Sequence, residues 1–164
     1  MPFTTSLIRR GILGTVATFA LAMPALAGDI TVHDPYALSS GAMAQAGAAF
    51  MQIMNEGPED DRLIDVRSDI AKMTELHTHE IDAQGVARMM KVEEGFVIPA
   101  GGMHSLQRGG DHVMFMGLTQ ALEHGDSVAV TLVFEKAGEM VIDVPVDLAR
   151  KPGGGMKMQH KTDN

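Results

Sequence analysis

The chain has 164 residues and a formal net charge of −8, from 13 basic and 21 acidic residues. This length fits one compact domain with short extensions, and the absence of a basic run argues against nucleic acid as a partner. There is no cysteine, which excludes zinc–thiolate sites, thiol catalysis and disulfides within the chain. Methionine is abundant, with 14 residues, so a soft-metal site would have to use thioether and imidazole groups.

The N-terminal segment has the pattern of a secretory signal peptide. Arg9 and Arg10 precede an apolar run, Gly11 to Met23, which ends at an Ala-Leu-Ala cleavage motif. This order predicts export to the periplasm with removal of residues 1–27. The alternative is an uncleaved membrane anchor, which the short run disfavours, so we expect no stable membrane insertion after cleavage. The acidic remainder favours cations and basic docking partners.

Residues 28–150 are predicted to form a single all-β domain. Short runs of alternating apolar residues are separated by turn signals, a pattern typical of an antiparallel sandwich or barrel. The stretch 40–48 is rich in alanine and glycine, and whether it contains a helical turn is left open. The predicted strands are, in chain order, 49–54, 62–67, 72–81, 86–92, 96–99, 112–118, 128–134 and 140–146.

The strand pattern ends at the C-terminal segment, 151–164. Three glycines at 153–155 followed by polar residues predict a flexible tail. Met156, Met158 and His160 alternate within it, and methionines in a tail have no core to fill. These side chains are therefore candidate metal ligands, with chance occurrence as the competing explanation.

The strand 112–118 carries the strongest chemical signal. Successive side chains of a strand point to opposite faces. Val113 and Phe115 mark the core face, so His112, Met114 and Met116 share the other face. An imidazole and a thioether that project together can bind a soft metal ion. The competing explanation is a strand buried on both sides with a hydrogen-bonded histidine.

A second group of candidate ligands lies upstream. His77 and His79 share one face of a predicted strand, and the turn at 82–85 predicts a hairpin that brings them near Met89 and Met90. A solvated polar face is the simpler explanation for the two histidines alone. Together with methionine they favour Cu(I), because the soft thioether selects Cu(I) over hard cations and is seldom a zinc ligand.

In this order the residues resemble the PCuAC family of periplasmic copper chaperones. The family pattern is a histidine, about ten residues, a methionine, about twenty-one residues, and then His-x-Met. The likeness covers residues 30–146. It rests on the segments Glu75-Leu76-His77, Gly85-Val86-Ala87-Arg88-Met89, Ile98-Pro99-Ala100-Gly101-Gly102 and 109–118 (GGDHVMFMGL).

The resemblance implies a set of Cu(I) ligands. The family ligands fall on His77, Met89, His112 and Met114. Strict spacing instead selects His79 and Met90 together with the same His-x-Met pair. The Leu-His before the turn and the Arg-Met after it favour His77 and Met89. His79 is then a neighbour that assists or substitutes.

The resemblance also implies a fold and a role. The fold is a cupredoxin-like Greek-key β-sandwich, and the role is that of a copper carrier without enzymatic activity. Its recipient would be the binuclear copper centre of cytochrome c oxidase, with a Sco-type thioredoxin-like chaperone as a further partner. Some members carry a Met/His-rich extension that adds copper capacity, so a second copper is expected at the tail.

Two other classes of protein compete with this interpretation. A cupin-type metalloenzyme is suggested by His77-Thr78-His79 and by the segment 99–104 (PAGGMH). The glutamate expected about four residues after His79 is missing, because Ala83 and Gln84 stand there. The other class is a metal-free binding or structural sandwich, whose methionines would be dispersed in the core.

Overall fold

A computed structural model describes residues 29–41 and 43–151. All regular structure in this part of the chain is β, so none of the described residues forms a helix that could cross a membrane. The predicted signal peptide and the tail residues Met156, Met158 and His160 lie outside the described residues. The strands are β1 (Ile30–Ser39), β2 (Ala46–Asn55), β3 (Asp61–Arg67), β4 (Ala71–Ile81), β5 (Ala87–Lys91), β6 (Phe96–Ile98), β7 (Met103–Leu106), β8 (His112–Leu118), β9 (Ser127–Phe134) and β10 (Gly138–Pro145).

The strands form two antiparallel sheets around one hydrophobic core. The larger, six-stranded sheet has the order β1-β2-β8-β4-β5, with β7 also pairing with β2. The smaller, four-stranded sheet has the order β10-β9-β3-β6. Apolar side chains from both sheets, including Ile53, Leu63, Phe115 and Leu132, are buried between them. The prediction of an all-β sandwich is confirmed.

All eight predicted strands are present, and their ends differ from the predictions by at most three residues. The sequence reasoning missed β1 and β7. In β1 the pairing register shifts between His33 and Tyr36, and Asp34 has a φ of 49°, so its apolar residues do not alternate regularly. The described part of 40–48 does not contain a helical turn, because Ala46 to Ala48 pair with β8 as the start of β2.

The side-chain alternation of β8 and β4 decides what the outer face of the larger sheet carries. Val113 and Phe115 are fully buried between the sheets, so His112, Met114 and Met116 lie on the outer face, as predicted. On β4, Leu76 points into the core. The residues on either side of it, Glu75 and His77, and then His79, therefore share the outer face with the β8 group.

The buried carboxylate of Asp61 connects the start of β3 to the turn between β9 and β10. It accepts hydrogen bonds from the backbone N–H groups of Arg62 (2.7 Å), Lys136 (2.9 Å) and Ala137 (2.9 Å). Asp61 is only 7% exposed, so water cannot readily replace these bonds. The carboxylate thus holds two distant chain segments together within the smaller sheet.

We expect Asp61→Asn to lower the free energy of unfolding by about 2 kcal/mol, because the new amide NH₂ must face a backbone N–H that then has no acceptor. Urea unfolding of the apo protein measures this loss. Asp143→Asn removes the same charge at an exposed position of β10 and serves as the control. Equal stability of the two variants would contradict the structural role of Asp61.

Candidate metal centre

A cavity of about 340 Å³ opens on the outer face of the larger sheet. Most of its wall is apolar and includes Phe50 of β2. The candidate ligands that line it are His79, Met89, His112 and Met114. The side chains that sequence reasoning selected from three different strands therefore meet at one place.

The strand registers explain this meeting. His77 lies directly opposite His112 across β4 and β8, and His79 lies directly opposite Met89 across β4 and β5. The His112 ring centroid is 6.0 Å from that of His77 and 6.3 Å from that of His79. Three imidazoles thus cluster beside two thioethers. Both His77 and His79 belong to the cluster, although only His79 is among the cavity-lining residues.

Met90 is placed differently from Met89. It lies opposite Thr78, and Thr78 alternates with His77 and His79 along β4. Residues directly opposite each other in an antiparallel pair point to the same face, so Met90 lies on the face away from His112. The hairpin register therefore brings Met89, and not Met90, to the histidine cluster.

His112 is held in one tautomer by its surroundings. It is only 4% exposed, and its Nδ1 lies 2.9 Å from the carbonyl oxygen of Gly110. Because a carbonyl only accepts, Nδ1 carries the proton and the lone pair is on Nε2. Burial lowers the pKa of His112, and the neighbouring His77 and His79 lower it further. The result is a neutral imidazole with a free ligand atom.

His77 is oriented by a carboxylate that the sequence reasoning did not single out. Its Nε2 is 3.0 Å from Oε2 of Glu75, and Oε1 of Glu75 is 3.4 Å from Nζ of Lys91. The hydrogen bond from His77, with smaller help from Lys91, lowers the pKa of Glu75, so Nε2 donates to an ionised acceptor. Nδ1 of His77 is buried and has no hydrogen-bond partner among the described residues. Glu75 and His77 are two residues apart on one strand, and that spacing is the signal that could have revealed the pair.

The donor set fits a soft ion. Among residues 29–41 and 43–151 no group of three or more His, Cys, Asp or Glu side chains could hold a metal ion. A site here needs the thioethers of Met89 and Met114 in addition to imidazole. Neutral sulfur and imidazole ligands suit Cu(I), whereas Mg²⁺ and Ca²⁺ require oxygen and Zn²⁺ prefers thiolate, imidazole and carboxylate.

The cupin-like arrangement does not assemble. His104 lies opposite Ile53, a core residue of β2, so it is on the inner face of the larger sheet. There its ring stacks on Phe96 with centroids 5.0 Å apart, and its Nε2 is 3.0 Å from Oδ2 of Asp111. His104 therefore cannot join His77 and His79 around one ion.

The lowered pKa of His112 predicts acid sensitivity of the apo protein. The unfolded chain takes up this proton at its ordinary pKa of 6.5, whereas the folded chain resists it. The unfolded state then binds more protons, so we expect the melting temperature to fall as the pH drops below about 6.5. His112→Gln should fall less over the same range, as measured by thermal unfolding. An unchanged pH dependence in the variant would contradict this assignment.

The fold and the pocket define a small β-sandwich domain with a His/Met cluster on one sheet face. The chain belongs to the family described as "Putative lipoprotein LpqE-like", whose family model matches residues 30–146. A relative, "Putative lipoprotein Lxx21020" of Leifsonia xyli subsp. xyli (strain CTCB07), is 35% identical over 99 residues. The alignment covers 60% of this chain and 59% of the relative, so the chain spans less than two thirds of that protein.

Solved structures of PCuAC domains share the fold. The copper-bound PCuAC domain from PmoF2 is 25% identical with a TM-score of 0.61, covering 74% of this chain and 94% of that domain. The Cu(I) form of DR1885 from Deinococcus radiodurans is 27% identical with a TM-score of 0.59, covering 80% of this chain and 84% of that protein. The prediction of a cupredoxin-like sandwich of the PCuAC type is confirmed.

Proposed function

We propose that this protein is an exported carrier of Cu(I) that binds the ion at His77, Met89, His112 and Met114 and passes it to another protein. The observation that carries the proposal is the convergence of these side chains from β4, β5 and β8 on one exposed sheet face. The similar structures described as copper-bound PmoF2 and Cu(I)-DR1885 support it.

The ligand chemistry suits transfer better than permanent storage. All the proposed ligands are neutral, and thioether–Cu(I) bonds can be exchanged one at a time for those of an acceptor. Met89 is 54% exposed, so an acceptor could displace this ligand first while the buried His112 keeps its hold. Such a carrier exchanges ligands and has no need of catalytic turnover.

We propose that the protein acts in the periplasm. The family is described as lipoproteins, which agrees with export through the predicted signal peptide. Cleavage after Ala27 would release the domain into the periplasmic space.

The proposed recipient follows from the resemblance to PCuAC proteins. It is the binuclear copper centre of cytochrome c oxidase, reached together with a Sco-type thioredoxin-like chaperone. The tail residues Met156, Met158 and His160 are proposed to add a second, weaker copper site. Deletion of residues 152–164 should then reduce the copper stoichiometry and leave the tight site unchanged.

Cu(I) binding is tested directly on the purified mature chain. Competition with a chromophoric Cu(I) chelator should reveal a single tight ion, and X-ray absorption at the copper edge should show both nitrogen and sulfur scattering. Sulfur can come only from methionine, because the chain lacks cysteine. A tight site with nitrogen and oxygen ligands alone, or no tight binding, would refute the proposal.

We expect Glu75 to orient the His77 ring by accepting a hydrogen bond from Nε2, which leaves Nδ1 as the free ligand atom. Glu75→Gln removes the charged acceptor that fixes the Nε2–H tautomer, so we expect Cu(I) affinity to fall about 10-fold. Glu93→Gln is the matched control, since Glu93 also pairs with Lys91 but has a 75% exposed side chain. Chelator competition measures the affinity.

The tautomer of His77 can be measured directly, and it would not change if Glu75 had only a structural role. Long-range ¹H–¹⁵N NMR of the apo protein should show His77 protonated at Nε2, and a mixture of tautomers in Glu75→Gln. The same tautomer population and the same affinity in both proteins would mean that Glu75 does not orient the ligand.

A further inference from the structure

A second group of thioethers lies on the same sheet face, one step along β8 from the candidate site. Met116 follows Met114 on the outer face, with Phe115 pointing into the core between them. Met73 on β4 lies directly opposite Met116. We refer to Met73 and Met116 as the distal methionine pair.

The backbone geometry allows both sulfurs of the distal methionine pair to reach one ion. Cβ atoms of directly opposite residues are about 4.5–5.5 Å apart, and the unbranched methionine side chain has three rotatable bonds with which to adapt. Met114 is about 6.6–6.8 Å away along the strand. On the β2 side, Ala46 and Ala48 lie opposite Met116 and Met114, and such small side chains leave the thioethers uncovered.

Core packing does not explain the distal methionine pair. Met73 is 51% exposed and Met116 is partly buried on the outer face, whereas the core methionine Met51 is 2% exposed. Glu75 follows Met73 on the outer face and lies directly opposite Met114. Glu75, which contacts His77, therefore lies between the candidate site and the distal pair.

We propose that Met73 and Met116, together with Met114, form a second and weaker Cu(I) position that the ion occupies on its way to an acceptor. This inference rests on the proposed function. In the step between positions, the bonds from copper to His77, His112 and Met89 break one at a time while bonds to Met73 and Met116 form, Met114 stays bound, and copper remains Cu(I). The weaker affinity follows from the loss of imidazole, and the ligand class is a soft monovalent cation.

The test uses Ag(I) as a soft monovalent probe and NMR of methionine labelled with ¹³C at the methyl group. The tail would compete for a second ion, so the protein carries Met156→Leu, Met158→Leu and His160→Gln in the full chain. The first equivalent of Ag(I) should shift the methyl signals of Met89 and Met114. The second equivalent should shift those of Met73 and Met116, and should shift Met114 again, because its thioether is then shared by the two ions.

Substitution provides the second arm. Met73→Leu combined with Met116→Leu in the same background should reduce the Ag(I) stoichiometry from two ions to one and leave the affinity of the first unchanged. Met103→Leu, at a 46% exposed position of β7, is the control and should still bind two.

The outcomes separate the two proposals. The second position alone is overturned if the first equivalent of Ag(I) shifts Met89 and Met114 but the second equivalent does not shift Met73 and Met116. An unchanged stoichiometry in the double variant would do the same. Absence of any shift at Met89 and Met114 would overturn the proposed function itself, and with it the inference that rests on it.

Discussion

Replacing Met114 with leucine should weaken Cu(I) binding at least about 100-fold. Changes in the partners of metal ligands alone cost about 10–100-fold, and this change removes a ligand itself. Leucine has nearly the same volume as methionine but no sulfur, so the change removes a ligand and little else. Met114 is only partly buried, and exchange between Leu and Met is well tolerated in proteins. Chelator competition measures the affinity, and thermal unfolding of the apo protein checks the fold.

Met103→Leu is the matched control for this experiment. Met103 is also a partly exposed strand methionine, but it belongs to β7 and pairs with Met54 of β2. The Met103→Leu variant should bind Cu(I) with the same affinity as the unchanged protein. If Met114→Leu keeps the affinity of this control, the thioether is not a ligand, and the methionines on this face serve packing or docking.

The arrangement on β8 could be predicted from the sequence because it depends on local rules alone. Strand residues alternate between faces, and Val113 and Phe115 identify the core side without any knowledge of the fold. The choice between Met89 and Met90 is different. A shift of one residue in hairpin register moves every side chain to the other face, and the register is set by the turn around Asp82.

That turn is stabilised by contacts that spacing rules do not capture. The Asp82 carboxylate accepts hydrogen bonds from the backbone N–H groups of Gln84 (3.0 Å) and Val86 (2.9 Å), and from the Arg88 side chain (3.1 Å). The resulting register pairs His79 with Met89. Strict spacing selects Met90, whose position faces away from the histidines.

Other features of the site depend on contacts between residues far apart in sequence. Phe50 of β2 packs beside His112 with ring centroids 6.1 Å apart, which helps to bury the imidazole and lower its pKa. The carbonyl of Gly110 fixes the His112 tautomer from a turn. Neither effect has a signature in residue type or period, so only the folded structure reveals them.

Strand alternation puts His77 and His79 on the same face and therefore does not distinguish them as ligands. Their contacts in the structure do distinguish them. His77 lies directly opposite His112, and its buried Nδ1 has no partner among the described residues, while Glu75 holds its Nε2. His79 lies opposite Met89 and lines the cavity. We therefore propose His77 as the primary ligand and a substituting role for His79.

His77→Ala should accordingly lower Cu(I) affinity about 100-fold, and His79→Ala less than about 10-fold. In the first variant His79 can still supply an imidazole, so the double variant should lose more affinity than the sum of the single free-energy changes. Chelator competition gives the affinities, and X-ray absorption gives the number of imidazole ligands in each variant. A larger loss in His79→Ala would make His79 the primary ligand, and additive losses would show that the two histidines do not replace each other.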